Sequence, residues 1–203
     1  AGANAWGNTS FDVAVACTAD LDADGTTADT EVYSASKTLT KAAPTWQIDN
    51  LVAGATCTVT ETAWGGATSH SARQEATVAA DDTTEVTVTN TFAVGSIQVT
   101  KAFTVNGSTP QTGWADQLSQ ASATVGLTCS REVNGTATSV DVPDGATRTL
   151  NAANSFTASY DGLPAGATCQ LSETASSPVA NAVSYSDDTP VVPSSDTAKV
   201  TVT

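Results

Sequence analysis

Apolar and polar residues alternate over short stretches of the chain, a period-two pattern that predicts β-strands with one buried face. The clearest stretches are residues 11–15, 58–60, 85–88, 97–99 and 199–202. Pairs of turn-forming residues, such as Asn106-Gly107 and Asp144-Gly145, separate such stretches. No long segment has the periodicity of an amphipathic helix, and residues 114–118 suggest only a short helical turn. The pattern predicts an all-β sandwich or barrel.

The strand pattern occurs twice, because the chain contains an internal repeat. LVAGATC at 51–57 returns as LPAGATC at 163–169, and VAVAC at 13–17 returns as VGLTC at 125–129, both 112 residues later. VTVT at 86–89 returns at 200–203, which is 114 residues later. Landmarks in the same order indicate two tandem domains, which we place at residues 1–93 and 94–203.

The two copies differ at their ends. The second copy opens with the alternating stretch GSIQVTK at 95–101, which has no counterpart in the first copy. The first copy closes with TNTF at 89–92, whereas the second stops at Thr203. We therefore expect the first domain to lack its first strand and the second to lack the end of its last strand, as in a window cut from a longer array. A first repeat that is degenerate at its start is the alternative.

The charge balance limits the partners of such a chain. It has 7 Lys and Arg residues against 21 Asp and Glu residues, a formal net charge of −14. Scattered basic residues on an acidic protein form no positively charged surface that would bind nucleic acid or an anionic membrane. No apolar run approaches the roughly 20 residues of a membrane-spanning helix. We therefore expect no direct membrane insertion. His70 is the single histidine and gives no support for a Ser/His/Asp arrangement, so we expect no enzyme acting on an external substrate.

The four cysteines follow the repeat. Cys17 and Cys57 are 40 residues apart, as are Cys129 and Cys169. A pair repeated at fixed spacing predicts one disulfide in each domain, Cys17–Cys57 and Cys129–Cys169. Zinc is a poor alternative, because no cysteine has another cysteine or a histidine two to four residues away. Disulfides indicate an oxidising, extracytoplasmic location.

An acidic segment in the first repeat has the spacing of a calcium loop. Asp20, Asp22, Asp24 and Glu31 fit the string D-x-D-x-D-G-x₅-E, in which alternate carboxylates wrap the ion. The flanking sequences read as strands, although the helix–loop–helix motif requires helices, and the second repeat lacks the string. A solvated acidic hairpin is the alternative, and calcium is the one cofactor that the sequence leaves open.

The tryptophans offer a second kind of binding surface. Trp6, Trp46, Trp64 and Trp114 could each stack on a sugar ring. A β-sandwich normally places a tryptophan in its core, however, so we expect a structural use.

Three motifs resemble a known family. GSIQVTK at 95–101, LPAGATCQLSE at 163–173 and VTVTNTF at 86–92 are similar to repeats of large actinobacterial surface proteins and to the Cna-B modules of Gram-positive adhesin stalks and pilus shafts. The resemblance covers essentially the whole chain as two copies. It implies two tandem Ig-like, transthyretin-like antiparallel β-sandwich domains, exported and displayed on the cell wall of a Gram-positive, actinobacterial organism.

The resemblance also implies a covalent chemistry. In Cna-B-like modules a first-strand lysine and a last-strand asparagine form an isopeptide bond, assisted by a buried acid. Burial favours a neutral, nucleophilic lysine and a protonated carboxyl. Carried over by motif, Glu61 and Asn90 are acid and acceptor in the first domain, with a lysine expected upstream of Ala1. Lys101 and Glu173 are nucleophile and acid in the second, with an asparagine expected beyond Thr203. The alternative is that all four are ordinary strand and turn residues.

Together these features predict a structural stalk or shaft repeat of a secreted surface protein, an adhesin or a pilus-like appendage. Its partners are adjacent repeats of the same polypeptide or neighbouring subunits, and another domain would bind the host or cell-surface ligand. The alternative is a ligand- or glycan-binding surface module, with or without a dependence on calcium. Repetition favours the structural function, because frameworks recur while binding loops differ between copies.

Overall fold

The alternating segments form strands in the computed structural model of the chain, which describes residues 10–21 and 30–203. These residues divide into two compact units, with the boundary between Phe92 and Ala93. The chain therefore consists of a first domain, up to Phe92, and a second domain, Ala93–Thr203. The boundary lies within one residue of the junction that the repeat predicts.

The first domain is built on one antiparallel sheet. Its strands are β1 (Ser10–Ala19), β2 (Thr30–Thr40), β3 (Thr56–Ala63), β4 (Ser69–His70), β5 (Gln74–Thr77) and β6 (Asn90–Thr91). The order in the main sheet is β2-β1-β3-β5, and β4 pairs with β6 as a separate two-stranded unit. Alternate residues of β1 are buried, as its period-two pattern predicts.

The second domain has two sheets. Its elements are β7 (Val94–Lys101), α1 (Ala115–Ser119), β8 (Ser122–Val133), β9 (Thr136–Val140), β10 (Thr147–Asn151), β11 (Thr157–Pro164), β12 (Thr168–Ser177) and β13 (Thr197–Val202), with single 3₁₀ turns at Thr112–Trp114 and Ala152–Asn154. One sheet has the order β10-β8-β12, with β9 also paired to β8, and the other has the order β11-β7-β13. The predicted all-β, two-domain sandwich fold is confirmed, and the predicted helical turn is α1.

The strand pairing departs from the prediction in one respect. We expected antiparallel sheets, but β13 runs parallel to β7, so the first and last strands of the second domain lie side by side in the same direction. Val202 is opposite Lys101 in this pairing. The last residues of the domain are thereby placed beside the end of its first strand.

Each domain has its own apolar core. In the second domain the inward faces of both sheets meet around Ile97, Val125, Leu127 and Tyr160, all at most 1% exposed. In the first domain the buried apolar residues that the structure describes are fewer and smaller, and they belong to β1, β3 and residue 55. Larger side chains, including Trp46 and Ile48, pack against this set while partly exposed.

The prediction of a strand at residues 85–88 is wrong, because these residues form no strand. These residues form no ladder with any described strand, although Val86 and Val88 keep the expected alternation and are half-buried. Their counterpart in the second repeat is β13, which pairs with β7. Within the described residues, the first domain has no strand in the place of β7, so residues 85–88 have no neighbouring strand to pair with.

Gly95 in β7 is a position where a side chain does not fit. A Cβ atom there would lie 1.9 Å from the backbone oxygen of Pro193 and 3.0 Å from that of Asp196. We expect Gly95→Ala to lower the free energy of unfolding of the second domain by about 1–3 kcal/mol, because backbone has to move to admit the methyl group. Urea unfolding measures the loss. Gly113→Ala is the matched control, because a Cβ atom there meets nothing within 4 Å, and equal losses in both variants would contradict the prediction.

Candidate functional site

Both predicted disulfides are present. Cys17 of β1 bonds to Cys57 of β3, and Cys129 of β8 bonds to Cys169 of β12. In each case the two cysteines are direct partners in the antiparallel register, and they lie within the core. The bond therefore fastens two neighbouring strands at the same position in both domains.

A buried ion pair lies at the end of β7 in the second domain. Nζ of Lys101 is 2.9 Å from Oε2 of Glu173, and the two side chains are 3% and 2% exposed. The contact is an ion pair without the alignment of a hydrogen bond, since Oε2 has no hydrogen-bond partner. The Phe103 ring lies 5.5 Å from Nζ of Lys101 and packs edge-on against Phe156. Burial among aromatic rings strengthens the electrostatic interaction between the two charges.

Strand alternation explains why Lys101 is buried. It continues the inward face of β7, on which Gly95, Ile97 and Val99 are also buried. Glu173 similarly follows Cys169 and Leu171 on the inward face of β12. The backbone N–H of Glu173 donates to the Tyr185 hydroxyl, 2.7 Å away, which holds the strand at this point. Lys101 is therefore a core residue and not a solvated one at the edge of a sheet.

In the first domain the acid equivalent to Glu173 is Glu61, and its partner is an asparagine instead of a lysine. Glu61 and Glu173 are 112 residues apart, as the repeat requires. Nδ2 of Asn90 donates to Oε1 of Glu61 over 2.7 Å, and the Glu61 side chain is 1% exposed. Oε2 of Glu61 and Oδ1 of Asn90 are both buried without a hydrogen-bond partner. In the described residues this carboxylate therefore lacks the lysine that Glu173 has.

The structure thus brings the four candidate residues together as two pairs rather than as one site. Glu61 contacts Asn90 in the first domain, and Lys101 contacts Glu173 in the second. Each pair contains the acid and one of the two groups that an isopeptide bond joins. Whether the bond forms stays a prediction.

His70 is a residue of this site that the sequence did not indicate. It pairs with Asn90 through the β4–β6 ladder, and its Nδ1 lies 3.7 Å from Oε2 of Glu61. Its ring stacks on Trp64 with a centroid distance of 4.4 Å. A single histidine without a repeated partner carries no signal in the sequence, and the two-residue strands β4 and β6 are too short for a periodic pattern.

The calcium prediction falls mostly outside the described residues. Asp22 and Asp24 lie in the range 22–29, which the structure does not describe. Asp20 follows the end of β1, and Glu31 lies in β2 opposite Thr18. Within residues 10–21 and 30–203, no three His, Cys, Asp or Glu side chains form a group that could hold a metal ion. Calcium binding stays a prediction.

The expected position of the tryptophans in the core is wrong for two of them. Trp64 and Trp114 are 42% and 44% exposed, so neither lies in a core. Trp46 packs against the first core, as expected. Trp6 lies outside the described residues.

In residues 10–21 and 30–203, no helix is long and apolar enough to cross a membrane.

Solved structures similar to this chain come from Gram-positive surface proteins. The major pilin protein T-13 of Streptococcus pyogenes is 12% identical, with 96% of this chain and 88% of the pilin covered and a TM-score of 0.47. A single B repeat unit of the collagen-binding surface protein Cna of Staphylococcus aureus is 15% identical, with 96% and 86% covered and a TM-score of 0.32. An adhesin of Mobiluncus mulieris that contains intramolecular disulfide, isopeptide and ester cross-links is 12% identical, with 97% and 84% covered and a TM-score of 0.32.

Sequence comparison gives a more direct result. No curated protein matches the chain. One family model, a domain of unknown function named DUF5979, matches residues 1–93 and again residues 97–203. The two matches correspond to the two copies of the internal repeat and together cover nearly the whole chain. The chain belongs to the DUF5979 family and carries two copies of its domain.

Proposed function

We propose that the chain is a pair of structural repeats from the stalk or shaft of an exported surface protein of a Gram-positive bacterium, an adhesin or a pilus-like appendage. The observation that carries the proposal is the pair of buried acids, Glu61 and Glu173, each held at the same repeat position against one reactant of a Lys–Asn cross-link. Adjacent repeats or neighbouring subunits are the partners. The function is mechanical, without an external substrate.

The disulfides support the extracellular part of this proposal. Both fasten buried strands of their domains, and no cysteine of the chain is left free. Structural disulfides persist in oxidising compartments, which are outside the bacterial cytoplasm. A domain that must resist pulling and proteolysis gains from bonds that limit its unfolding.

The buried pairs support the cross-linking part. In the proposed step Lys101 gives a proton to Glu173, the resulting neutral amine attacks a carboxamide carbon, a C–N bond forms, and the amide nitrogen leaves as ammonia. Glu173 is placed to take the proton from the lysine and to return it to the leaving nitrogen, since its carboxylate is 2.9 Å from Nζ. Reactants held by strands in a buried site need no external catalyst.

The first domain indicates where the carboxamide that reacts with Lys101 would lie. Asn90 directly follows Thr89, and the repeat aligns Thr89 with Thr203. Val202 is opposite Lys101, and the Ala102 N–H donates to the Val202 oxygen over 2.7 Å. An asparagine placed after Thr203 would thus enter the space beside Lys101 and Glu173, as Asn90 lies beside Glu61.

This alignment gives the test. The chain is extended after Thr203 by Asn-Thr-Phe, the residues that follow Thr89 in the first copy. We expect its intact mass to fall short of the calculated value by one ammonia, in addition to the four hydrogens lost to two disulfides. Tandem mass spectrometry should place the new bond at Lys101.

Three matched variants of the extended chain control the experiment. The extended chains with Lys101→Arg or Glu173→Gln should show no loss of ammonia in their intact mass. The first substitution removes the nucleophile and the second removes the proton acceptor. An Asp-Thr-Phe extension should lose water or nothing, but never ammonia. If the Asn-Thr-Phe chain is folded and shows only the disulfide hydrogens missing, the cross-linking part of the proposal is wrong.

A further inference from the structure

Two phenylalanine rings lie over the buried end of Lys101. The centre of the Phe103 ring is 5.5 Å from Nζ of Lys101, and the Phe156 ring packs edge-on against Phe103 with the ring centres 5.0 Å apart. Both phenylalanines are half-buried, whereas the side chains of Lys101 and Glu173 are 3% and 2% exposed. The two rings therefore belong to the outer layer that separates the ion pair from the solvent, and we call them the aromatic cover.

The backbone that carries Phe156 is strained. Ser155 and Phe156 have φ angles of 54° and 56°, so two consecutive residues other than glycine adopt the left-handed conformation. A Cβ atom makes this conformation unfavourable, most of all in a bulky residue such as phenylalanine. Strain of this kind persists only where the surrounding structure enforces it, and it is concentrated at functional sites.

A hydrogen-bonded turn at residues 151–156 enforces the conformation. The Asn151 side chain accepts hydrogen bonds from the backbone N–H groups of Ala153 and Asn154. The Asn154 side chain accepts one from the Asn151 N–H over 2.9 Å and donates one to the Thr149 oxygen over 2.7 Å. The Phe156 N–H donates to the Asn151 oxygen over 2.8 Å, which closes the turn. These bonds leave the backbone at Phe156 little freedom to relax.

The turn is also attached to Lys101 itself. The backbone N–H of Lys101 donates to the Phe156 oxygen over 2.8 Å, one residue beyond the last paired positions of β7 and β11. Those last positions are Thr100 and Thr157, whose hydroxyl groups are hydrogen-bonded at 3.3 Å. The strained residue is therefore fixed relative to the lysine that its ring helps to cover.

We propose that the 151–156 turn is a brace that holds Phe156 against Phe103 and thereby closes the Lys101–Glu173 pair to water and to solutes. The φ angle sets the direction of a side chain, so an ordinary conformation at Phe156 would turn its ring away from Phe103. Phe156 is a positioning residue, because it acts on Lys101 through the Phe103 ring. The lysine amine is then accessible only when the aromatic cover opens locally.

Acetylation of the intact chain with the N-hydroxysuccinimide ester of acetic acid tests the proposal, with peptide mass spectrometry as the readout. Lys199 is exposed on β13 and serves as the reference in the same domain. At one fixed pH, we expect Lys101 of the wild type to react about tenfold or more slowly than Lys199, because it reacts only through local opening. Phe156→Ala should raise the ratio of the Lys101 rate to the Lys199 rate by about fivefold or more.

Two variants in the turn distinguish the brace from the packing of the ring. Asn154→Ala removes the hydrogen bonds of this side chain but keeps both rings, and it should also raise the ratio. Ser155→Gly makes the left-handed conformation easier to adopt, so it should leave the ratio unchanged or lower it. Phe11→Ala is the matched control, since it removes a ring that packs edge-on against Phe92 in the first domain, and its ratio should equal that of the wild type.

Hydrogen exchange shows whether each variant keeps its second domain folded. The reporters are the amides of Cys169 and Leu171, which are hydrogen-bonded within this domain. If Phe156→Ala loses their protection, the comparison of Asn154→Ala with Ser155→Gly decides the question, because both keep the ring.

Three results would overturn the proposal. The first is a wild-type Lys101 that reacts as fast as Lys199. The second is a folded Phe156→Ala or Asn154→Ala chain in which the ratio does not rise. The third is a ratio that rises in Ser155→Gly. The chain is used without the Asn-Thr-Phe extension, so the outcome is independent of the proposed cross-link.

Discussion

Replacing Glu173 by alanine lowers the free energy of unfolding of the second domain by about 3–5 kcal/mol, because it leaves the Lys101 ammonium buried without a counter-ion. Lys101 is 3% exposed, and Glu173 is the anion beside it. The nearby Phe103 ring does not offset this loss, because its cation–π contact with Lys101 is already present in the wild type. Urea unfolding followed by hydrogen exchange of the β7 and β12 amides measures the effect in the second domain alone.

Two controls identify the cause of that loss. The double variant Lys101→Met/Glu173→Leu removes both charges, so it should recover most of the stability that Glu173→Ala loses. Glu75→Ala breaks the exposed ion pair with Arg73, in which the Arg73 side chain is 62% and the Glu75 side chain 55% exposed. This substitution should lower the free energy of unfolding by no more than about 0.5 kcal/mol. A double variant as unstable as Glu173→Ala would show that the loss comes from packing and not from an isolated charge.

The burial of Lys101 and Glu173 shows how far the sequence can predict this fold. Residues 95–101 alternate in period two, and Lys101 lies on the same face as Ile97 and Val99, so alternation alone places it inward. The structure adds the reason why a lysine is tolerated there, since Oε2 of Glu173 lies 2.9 Å from its Nζ. The repeat likewise predicts both disulfides, because spacing conserved between copies reflects a shared register.

Features that depend on long-range pairing escaped prediction. His70 reaches Glu61 only because the two-residue strand β4 pairs with β6, which lies 20 residues further along the chain. The stretch 85–88 has the right alternation, but a ladder also needs a neighbouring strand, which no pattern within the stretch reports. The exposed positions of Trp64 and Trp114 depend in the same way on the tertiary structure.

The first domain should depend on its disulfide more than the second. Closing a loop of 40 residues contributes about 4 kcal/mol in the chain-entropy description. Removing either disulfide should therefore lower the free energy of unfolding of its domain by a similar amount, whether by Cys17→Ala/Cys57→Ala or by Cys129→Ala/Cys169→Ala. The second core contains large, fully buried side chains such as Tyr160, Ile97 and Leu127, whereas the described buried residues of the first core are valines, alanines and cysteines.

Since domains of this size are stable by only about 5–15 kcal/mol, the same loss should leave the two domains in different states. We expect Cys17→Ala/Cys57→Ala to leave the first domain largely unfolded and open to proteolysis while the second stays folded in the same molecule. Cys129→Ala/Cys169→Ala should weaken the second domain without unfolding it. Hydrogen exchange resolved by peptide provides the measurement, with the untouched domain as the internal control. Full protection of β1 and β3 in the Cys17→Ala/Cys57→Ala chain would show that packing in the first domain is strong enough to hold these strands without the bond.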